Sequence, residues 1–475
     1  MSHDPIDWDA YIHSLEFLNE ANDWPMEASS LGIKSLWKPI ESLVKKYGCK
    51  LMLVKEEDFG LDYPTMESII KRGDVKKIKE VGSGLQGTVW LVKTLCGVSY
   101  RWTKNKTVHT SMACGKHNGK WLPLVLKVSN ISRDAIEFAE TIKRRRLQGK
   151  YFQKASNQIK RLQRKDATDL SNEVYVDVIC QQVASSLLRC NLIHPCVPLV
   201  FRSMLARRDV GLGADYPEIF SELLWEQKLD GQFDDLVEKG WFGTTKKPHL
   251  KRWSSFFLQI SLGLQNLQVL ISFVHNDLYM HNIMYVKTKN PYLYFKHGDS
   301  FLKVPTYGYR FYLMDFGRAH FVLGNRTFVS DALEKNMGYN YDPSRFSTDI
   351  TALVLQLCEK EEWNWRMMID RDDFLGFLVK GAAFAVSREE NMFERLEECQ
   401  LGDKTPSESS HETHLENCFY DNVVGEKGGI ADRRRRKCKS IYPLQVIEYL
   451  SREMSCTKED TRGKEIYKVL VTRTS

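Results

Sequence analysis

The sequence has no apolar segment that is long and uninterrupted enough to predict a membrane span. Its longest apolar stretch, Phe256 to His275, carries no charge but is interrupted at helical spacing by four amide side chains, Gln259, Gln265, Asn266 and Gln268. This pattern predicts a buried amphipathic helix, because amides are unfavourable in lipid. The N-terminal sequence MSHDPIDWDAYIHS is acidic and polar and lacks the apolar core of a signal peptide, so we expect no secretory leader.

The cysteines form no short repeating framework. There are 11, an odd number, scattered along the chain, which predicts reduced thiols in a cytosolic compartment rather than a secreted disulfide scaffold. The net charge of +7 in 475 residues is modest and partly concentrated in local runs. It therefore indicates tolerance of acidic partners rather than dedicated nucleic-acid binding. We predict no membrane span and no nucleic-acid partner, and we assign no oligomeric state.

Changes of pattern along the chain divide it into four regions. Residues 1–75 have apolar positions at helical spacing and predict a helical extension. Residues 76–224 begin with β-like runs and contain a hydrophilic stretch at about 95–120 and a strongly basic segment at about 141–165. Residues 225–399 include the long helix. Residues 400–475 begin with the polar QLGDKTPSESSHET and continue with RRRRKCK, which predicts a linker and a basic C-terminal region.

A glycine-rich turn occurs in VGSGLQGTVW, where Gly82, Gly84, Gly87 and Val89 make the pattern G-x-G-x-x-G-x-V. Glycines let a backbone approach phosphates closely and turn its amides toward them. The dinucleotide-binding fingerprint shares the pattern but must open a helix, whereas apolar, β-like runs flank this turn on both sides. We therefore predict a strand, a turn and a second strand. An ordinary hairpin turn is the alternative to a phosphate-binding loop.

A lysine, Lys127, lies in the apolar β-like run LPLVLKVS. A buried ammonium needs a partner, so one interpretation is a phosphate-binding lysine oriented by a carboxylate on a nearby helix. The favoured carboxylate is Glu173, which lies on the inward stripe of SNEVYVDVICQQVA together with Val176 and Cys180. Asp177, on a neighbouring face, is the competitor. The alternative is an edge-strand lysine whose apolar stem reaches to water.

Two polar loops follow apolar segments further along the chain. VHNDLYMHNIMY places Asp277 five residues before Asn282, and FYLMDFGRA ends a second β-like run at Asp315. Oxygen ligands of this kind suit Mg²⁺, which completes its coordination with water and nucleotide phosphates. Asp277 could then accept a hydroxyl proton during attack on a phosphoryl group. The alternative is a pair of polar turns that end strands, and the order and spacing favour the chemical interpretation.

Together these residues resemble the eukaryotic-type protein kinase family, over roughly residues 76–360. The glycine-rich loop, the strand lysine, the helix glutamate, the H-x-D-x-x-x-x-N loop and D-F-G occur in that family's order. The resemblance implies an α+β, bilobal protein kinase-like fold, with a small β-rich N-lobe at 76–224 and a larger, mostly helical C-lobe at 225–399. It also implies insertions in the N-lobe at about 95–120 and 141–165, ATP and Mg²⁺ as cofactors, and Ser/Thr hydroxyls of proteins as acceptors. The positive net charge adds acidic proteins to the expected substrates.

The resemblance also implies roles for single residues. Asp277 would be the catalytic base, and Asn282 and Asp315 would hold Mg²⁺. Asp349 is a loose match to the buried aspartate of the family, and Phe220 would lie near the gatekeeper position. The nucleotide would be bound by the glycine loop, by the lysine with its glutamate, and by hinge backbone, at Gly82, Ser83, Gly84, Gly87, Val89, Lys127, Glu173, Glu222 and Leu223.

Several departures from the family pattern concern regulation and acceptor choice. Asn276 replaces the arginine before the catalytic aspartate, which removes the cation that a phosphorylated activation loop would engage. Tyr279 replaces the lysine that serine/threonine kinases place two residues after the base, and no A-P-E motif follows Asp315. With these departures the chain is similar to the divergent serine/threonine kinases of large cytoplasmic DNA viruses. That similarity implies the cytoplasm of an infected cell, or the virion, as location.

Two other functions fit the same motifs. A nucleotide-binding pseudokinase scaffold would keep the lysine but would not need the base. The HNDLYMHN loop is also similar to that of choline and aminoglycoside kinases, so a small-molecule kinase is the second alternative. Outside the kinase motifs, a zinc site is conceivable at Cys96, His109, Cys114 and His117, although their spacing matches no usual finger. RRRRKCK is either a nuclear-targeting or nucleic-acid patch or a solvated basic face.

Overall fold

The structure is a computed structural model. It describes residues 25–26, 52–53, 75–84, 87–95, 100–101, 107–108, 121–132, 134–135, 144–145, 149–166, 172–189, 191–208, 219–244, 247–323, 326–330, 349–359, 372–386 and 441–470. These residues form both α-helices and β-sheets, so the chain is of mixed α+β class. The chain divides into two compact units. Unit 1 comprises Met1–Asn191, Pro198–Lys228 and Leu323–Phe328, and unit 2 comprises Leu192–Val197, Leu229–Val322 and Val329–Ser475.

Unit 1 is built on a five-stranded sheet with the strand order β3-β4-β7-β9-β8 and antiparallel pairing throughout. The β1–β2 and β5–β6 pairs are separate two-stranded sheets. The described strands are β1 (Pro25–Met26), β2 (Met52–Leu53), β3 (Val75–Gly84), β4 (Gly87–Leu95), β5 (Tyr100–Arg101), β6 (Thr107–Val108), β7 (Trp121–Asn130), β8 (Val200–Arg208) and β9 (Ile219–Gln227), and the helices are α1 (Gly149–Asp166) and α2 (Glu173–Arg189).

The inner strands of this sheet follow from alternation in the sequence. In β7 the apolar side chains of Leu122, Leu124 and Leu126 are buried on one face, and the residues between them are half-buried on the other. Helix α2 covers the sheet, since its Val178 packs against Val200 of β8 and so joins helix and sheet in one core. The position of Lys127 between two buried neighbours is thus fixed by the period of the strand.

Unit 2 contains the long helix and the remaining strands except Arg326–Val329, most of which belongs to the Leu323–Phe328 stretch of unit 1. Its helices are α3 (Phe233–Glu238), α4 (Leu250–Ile271), α5 (Asp349–Glu359), α6 (Asp373–Val386) and α7 (Pro443–Ser451). The strands from β10 onward are β10 (Gly231–Gln232), β11 (Gly243–Thr244), β12 (Lys247–Pro248), β13 (Ile283–Lys287), β14 (Tyr292–His297), β15 (Ser300–Pro305), β16 (Tyr309–Leu313), β17 (His320–Leu323), β18 (Arg326–Val329), β19 (Ser455–Cys456) and β20 (Ile466–Lys468). Two of their sheets have the orders β10-β13-β16 and β19-β15-β14-β20.

The predicted buried helix is confirmed as α4, and its amides have hydrogen-bond partners inside unit 2. Gln259 accepts the N–H of Phe311, and Asn266 and Gln265 bond to backbone near the C-terminus of the chain. Apolar packing around α4 is dominated by aromatic rings, with Phe256 stacked on Phe233 of α3 at a centroid distance of 4.3 Å. Within the described ranges, no helix combines the length and apolar character needed to cross a membrane.

Residues 441–470, which the sequence analysis placed in a linker and basic region, fold onto unit 2. Strand β20 adds parallel to β14, and β19 adds antiparallel to β15. Asn266 of α4 fixes the end of this segment, because Nδ2 donates to the Lys468 carbonyl at 2.7 Å and Oδ1 accepts the N–H of Leu470 at 2.9 Å. The β14–β15 hairpin that receives these strands turns at Gly298, which has a φ of 59°.

Candidate active site

Lys127 lies in the middle of the unit 1 sheet. Its strand has β4 on one side and β9 on the other, and Lys127 stands opposite Val89 and Leu224. Its Nζ atom is 2.6 Å from Oδ2 of Asp177 in α2, and the Asp177 side chain is only 5% exposed. The alternative of an edge-strand lysine that reaches to water is therefore wrong, since β7 is an inner strand and the ammonium is paired with a buried carboxylate.

Lys127 is paired with Asp177, the carboxylate that the sequence analysis ranked second to Glu173. Glu173 is the first residue of α2 and is half-buried, whereas Asp177 lies one helical turn further along at a buried position. Gln181, another turn along, donates from Nε2 to Oδ1 of Asp177 at 3.0 Å. The two oxygens of Asp177 thus face different donors, which fixes the carboxylate and with it the direction of the lysine side chain.

The glycine-rich turn is a β-hairpin, as predicted, with β3 and β4 paired antiparallel up to Gly84 and Gly87. Gly87 is required by a close approach of backbone, because a Cβ there would lie 1.9 Å from the carbonyl oxygen of Val128. No such contact explains Gly82, whose Cβ position has no heavy atom within 4 Å. Gly82 and the adjacent Ser83 are exposed, so this end of the hairpin offers backbone to a ligand.

The predicted hinge contacts of Glu222 and Leu223 do not hold. Both residues lie within β9, which pairs with β7 on one side and with β8 on the other. The backbone N–H and C=O groups of an inner strand are used in the sheet, so neither residue presents them to adenine. Phe220 lies in the same strand. The stretch of unit 1 that contains β9 ends at Lys228.

In unit 2 one buried carboxylate fixes the loop from His275 to Asn282, which we call the 275–282 loop. Oδ2 of Asp349 accepts the N–H of His275 at 2.9 Å, and Oδ1 accepts the N–H of Asn276 at 3.0 Å. Asp349 is the first residue of α5 and is 2% exposed. The residue that matched the family's buried aspartate only loosely therefore holds two consecutive peptide groups of the loop.

The electrostatics around this carboxylate follow from burial. Burial lowers the pKa of His275 below its ordinary value of 6.5, against the smaller opposing effects of Asp349 and of the bond to Met314. The neutral imidazole donates from Nε2 to the Met314 carbonyl at 2.9 Å. Burial also raises the pKa of Asp349, and the neighbouring His275 ring and the two backbone N–H groups oppose that rise. The 275–282 loop is thus tied to the segment before Asp315 by an uncharged ring.

Asp277 and Asn282 are in direct contact. Asn282 donates from Nδ2 to the backbone oxygen of Asp277 at 2.8 Å, and the same atom is 3.3 Å from Oδ2 of the Asp277 carboxylate. The short 3-10 turn Met280–Asn282 brings the two side chains together, because it folds the chain back within five residues. Gln356 of α5 anchors this turn by accepting the N–H of Met280 at 3.0 Å.

Asp315 is placed next to this pair by the strands that flank it. Ile283, directly after Asn282, stands opposite Leu313 in the β13–β16 pair, and the N–H of Met314 donates to the Asn282 carbonyl at 2.9 Å. Asp315 itself has a φ of 59°, in the left-handed region that Asp and Asn tolerate better than other side chains. Backbone of this kind clusters at functional sites, and Asn276, in the 275–282 loop, is a second case with a φ of 61°.

Asn282 and Asp315 are the side chains in this region whose oxygens could hold a metal ion. Within the described residues, no group of three or more His, Cys, Asp or Glu side chains is placed to hold a metal. Mg²⁺ commonly takes one or two protein oxygens and completes its coordination with water and substrate phosphates. Both bonds of the Asn282 side chain use its nitrogen, so the amide oxygen is the atom that could bind a cation. The carboxylate of Asp315 is half-buried.

Two contributors to this region were missed in the sequence analysis. Arg318 approaches the carboxylate of Asp277, with Nη1 3.3 Å from Oδ1. Its signal was present in DFGRA, since the arginine directly follows the D-F-G motif. Gln356 had no comparable signal, because its contact with Met280 joins residues that are distant in sequence.

Some predictions fall on residues outside the described ranges. These are the proposed zinc ligands Cys96, His109, Cys114 and His117, the linker QLGDKTPSESSHET, the basic run RRRRKCK, and the N-terminal extension apart from residues 25–26, 52–53 and 75. They stay predictions. A scan of the chain against protein-family models and a search of curated proteins found no match.

Proposed function

We propose that the chain is an ATP-dependent protein kinase with a bilobal, protein kinase-like fold, in which unit 1 contains the N-lobe and unit 2 the C-lobe. It would transfer the γ-phosphoryl group of ATP to Ser or Thr hydroxyls of protein substrates. The observation that carries the proposal is the 275–282 loop, where Asn282 contacts Asp277 while Asp349 holds the loop backbone. Polar turns that merely end strands do not need a buried carboxylate to fix two of their peptide groups.

The proposed role of Asp277 is that of general base. The acceptor hydroxyl oxygen would form a bond to the γ-phosphorus while the bond from that phosphorus to the β–γ bridging oxygen breaks. The hydroxyl proton would pass to the Asp277 carboxylate, and ADP would leave. Contact with Asn282 orients the carboxylate, and its 17% side-chain exposure leaves it accessible to an acceptor.

The proposed role of unit 1 is to bind the nucleotide phosphates. The ammonium of Lys127, held by Asp177, would neutralise phosphate charge, and the exposed backbone at Gly82 and Ser83 would cover the phosphates. Asn282 and Asp315 would hold Mg²⁺, which when bound supplies further charge neutralisation of the phosphates. Because Glu222 and Leu223 are inner-strand residues, we propose no adenine contact for their backbone.

An acceptor panel tests this function. The full chain is incubated with magnesium and γ-labelled ATP and with an acidic protein, a basic protein, choline or an aminoglycoside. We expect label on protein, at Ser or Thr by phosphoamino-acid analysis, and none on the small molecules. Lys127→Met should abolish the transfer, because it removes the cation at the phosphates. Label on choline or the aminoglycoside alone would replace the proposal with a small-molecule kinase.

The pseudokinase alternative has a separate readout in thermal unfolding with and without magnesium ATP. A nucleotide-dependent rise in the unfolding temperature without transfer to any acceptor would identify a binding scaffold. Neither a rise nor transfer would refute nucleotide chemistry altogether. Lys380→Met is the matched control for Lys127→Met, because Lys380 is exposed in α6 of unit 2 and has no proposed part in either binding or transfer.

A further inference from the structure

The carboxylate of Asp277 receives a donor at each of its two oxygens. Asn282 Nδ2 is 3.3 Å from Oδ2, and Arg318 Nη1 is 3.3 Å from Oδ1. The asparagine lies within the 275–282 loop, whereas the arginine comes from the segment after Asp315. The carboxylate is therefore held between two chain segments rather than by its own loop alone.

The backbone of Arg318 is itself fixed by the 275–282 loop. Asn276 donates from Nδ2 to the Arg318 carbonyl at 3.2 Å, and the N–H of Ala319 donates to Phe316 at 2.9 Å in a tight turn. Two residues later, His320 pairs with Val274 through two backbone bonds of 2.9 Å. The backbone of Arg318 is thus bonded to the same loop that carries Asp277. This holds the arginine side chain within reach of the Asp277 carboxylate.

The sequence has no cation at the two positions next to the base where the resemblance would place one. Residue 276 is asparagine and residue 279 is tyrosine. Asn276 instead bonds the backbone of Arg318, whose guanidinium brings a positive charge to Asp277 from the other segment. A charged donor fixes a carboxylate more strongly than a neutral one.

We propose that Arg318 is the positioning residue for Asp277, an inference that rests on the proposed kinase function. With Arg318 at Oδ1 and Asn282 at Oδ2, the carboxylate keeps one orientation, and the remaining lone pairs of its oxygens can accept the proton of the acceptor hydroxyl. Without Arg318 the side chain samples other rotamers. A misplacement of about 1 Å is enough to cost on the order of 10²-fold in rate.

Steady-state kinetics of Arg318→Ala and Arg318→Lys test this role. For Arg318→Ala we expect kcat to fall by about 10–100-fold with KM for ATP unchanged, because the arginine acts on the base and not on nucleotide binding. Arg318→Lys should recover part of kcat, since it keeps the charge but not the planar fork. Arg462→Ala, a change at an exposed arginine of the same unit, should leave kcat at the wild-type value.

A double-mutant cycle separates positioning from an independent effect. If Arg318 acts through Asp277, Asp277→Asn combined with Arg318→Ala should be no slower than Asp277→Asn alone. A multiplicative loss would overturn the inference, as would an unchanged kcat in Arg318→Ala. An increase in kcat would also overturn it, because the arginine would then be blocking the base. Arg318→Gln replaces Arg318→Ala if thermal unfolding shows that the alanine variant does not fold.

The two proposals fail in different ways. An inactive wild-type chain on every acceptor refutes the kinase function and with it the role of Arg318. An active wild-type chain with a fully active Arg318→Ala refutes the role of Arg318 alone.

Discussion

Replacing Asp349 tests whether one buried carboxylate sets the position of the 275–282 loop. In Asp349→Ala the N–H groups of His275 and Asn276, in residues 0% and 4% exposed, lose their acceptors. A buried donor left without a partner costs about 1–3 kcal/mol. The free energy of unfolding should therefore fall by about 2–6 kcal/mol for two donors. Asp349→Asn keeps one acceptor oxygen and should lose about half as much.

Denaturant unfolding of the purified chain measures this loss, and Asp373→Asn provides the matched control. Asp373 also begins a helix, α6, but it is exposed, so its replacement removes a similar interaction with the helix N-terminus without releasing the loop. Phosphoryl transfer should fall in Asp349→Asn and stay unchanged in Asp373→Asn. Equal unfolding free energies and equal rates for the two variants would refute the reasoning that Asp349 holds the loop.

Three further changes have outcomes that follow from single contacts. Gly87→Ala should lower the free energy of unfolding by about 1–3 kcal/mol, because the added Cβ would overlap the Val128 carbonyl. Gly82→Ala should leave the free energy of unfolding unchanged in the same denaturant assay. Equal losses in the two variants would contradict the role given to Gly87. Asn266→Ala should lower the free energy of unfolding by about 1–3 kcal/mol for each backbone group that it leaves unpaired. Limited proteolysis should then release the C-terminal segment. A segment that stays intact would refute the role of Asn266 in holding it. Burial lowers the pKa of His194 to about 3, so the unfolded chain takes up a proton at this residue at a higher pH than the folded chain does. The free energy of unfolding should therefore be highest above pH 6.5 and fall as the pH is lowered toward 3. Between pH 6.5 and 5 the decrease should be about 2 kcal/mol. His194→Leu should flatten that slope in unfolding titrations, and an unchanged slope would assign the effect to other groups.

Local sequence patterns predicted the parts of the fold that depend on neighbouring residues. The hairpin at the glycine turn and the long helix α4 follow from alternation and helical period, and both are confirmed. The choice between Glu173 and Asp177 could not be made in this way, because it depends on where α2 crosses the sheet. The hinge residues Glu222 and Leu223 were misplaced because the sequence does not reveal how far β9 extends.

The parts that the sequence did not reveal depend on contacts between distant residues. Strand β20 pairs with β14, and the amides of α4 bond to the backbone of the same C-terminal segment. In the sequence these amides indicated only that the helix does not span a membrane. Asp349 was only a loose match, and its role became definite through its bonds to His275 and Asn276. In each case the residue was visible in the sequence, but its partner lay far along the chain.

The most direct test of the account is the rate of phosphoryl transfer by Asp277→Asn, which keeps the size of the side chain and removes its ability to take a proton. Asp299→Asn, an exposed position in the β14–β15 turn, is the control. We expect magnesium ATP to bind both variants, the control to react at the wild-type rate, and Asp277→Asn to be slower by about 10²–10⁴-fold. Transfer by Asp277→Asn at the wild-type rate would contradict the assignment of Asp277 as the catalytic base.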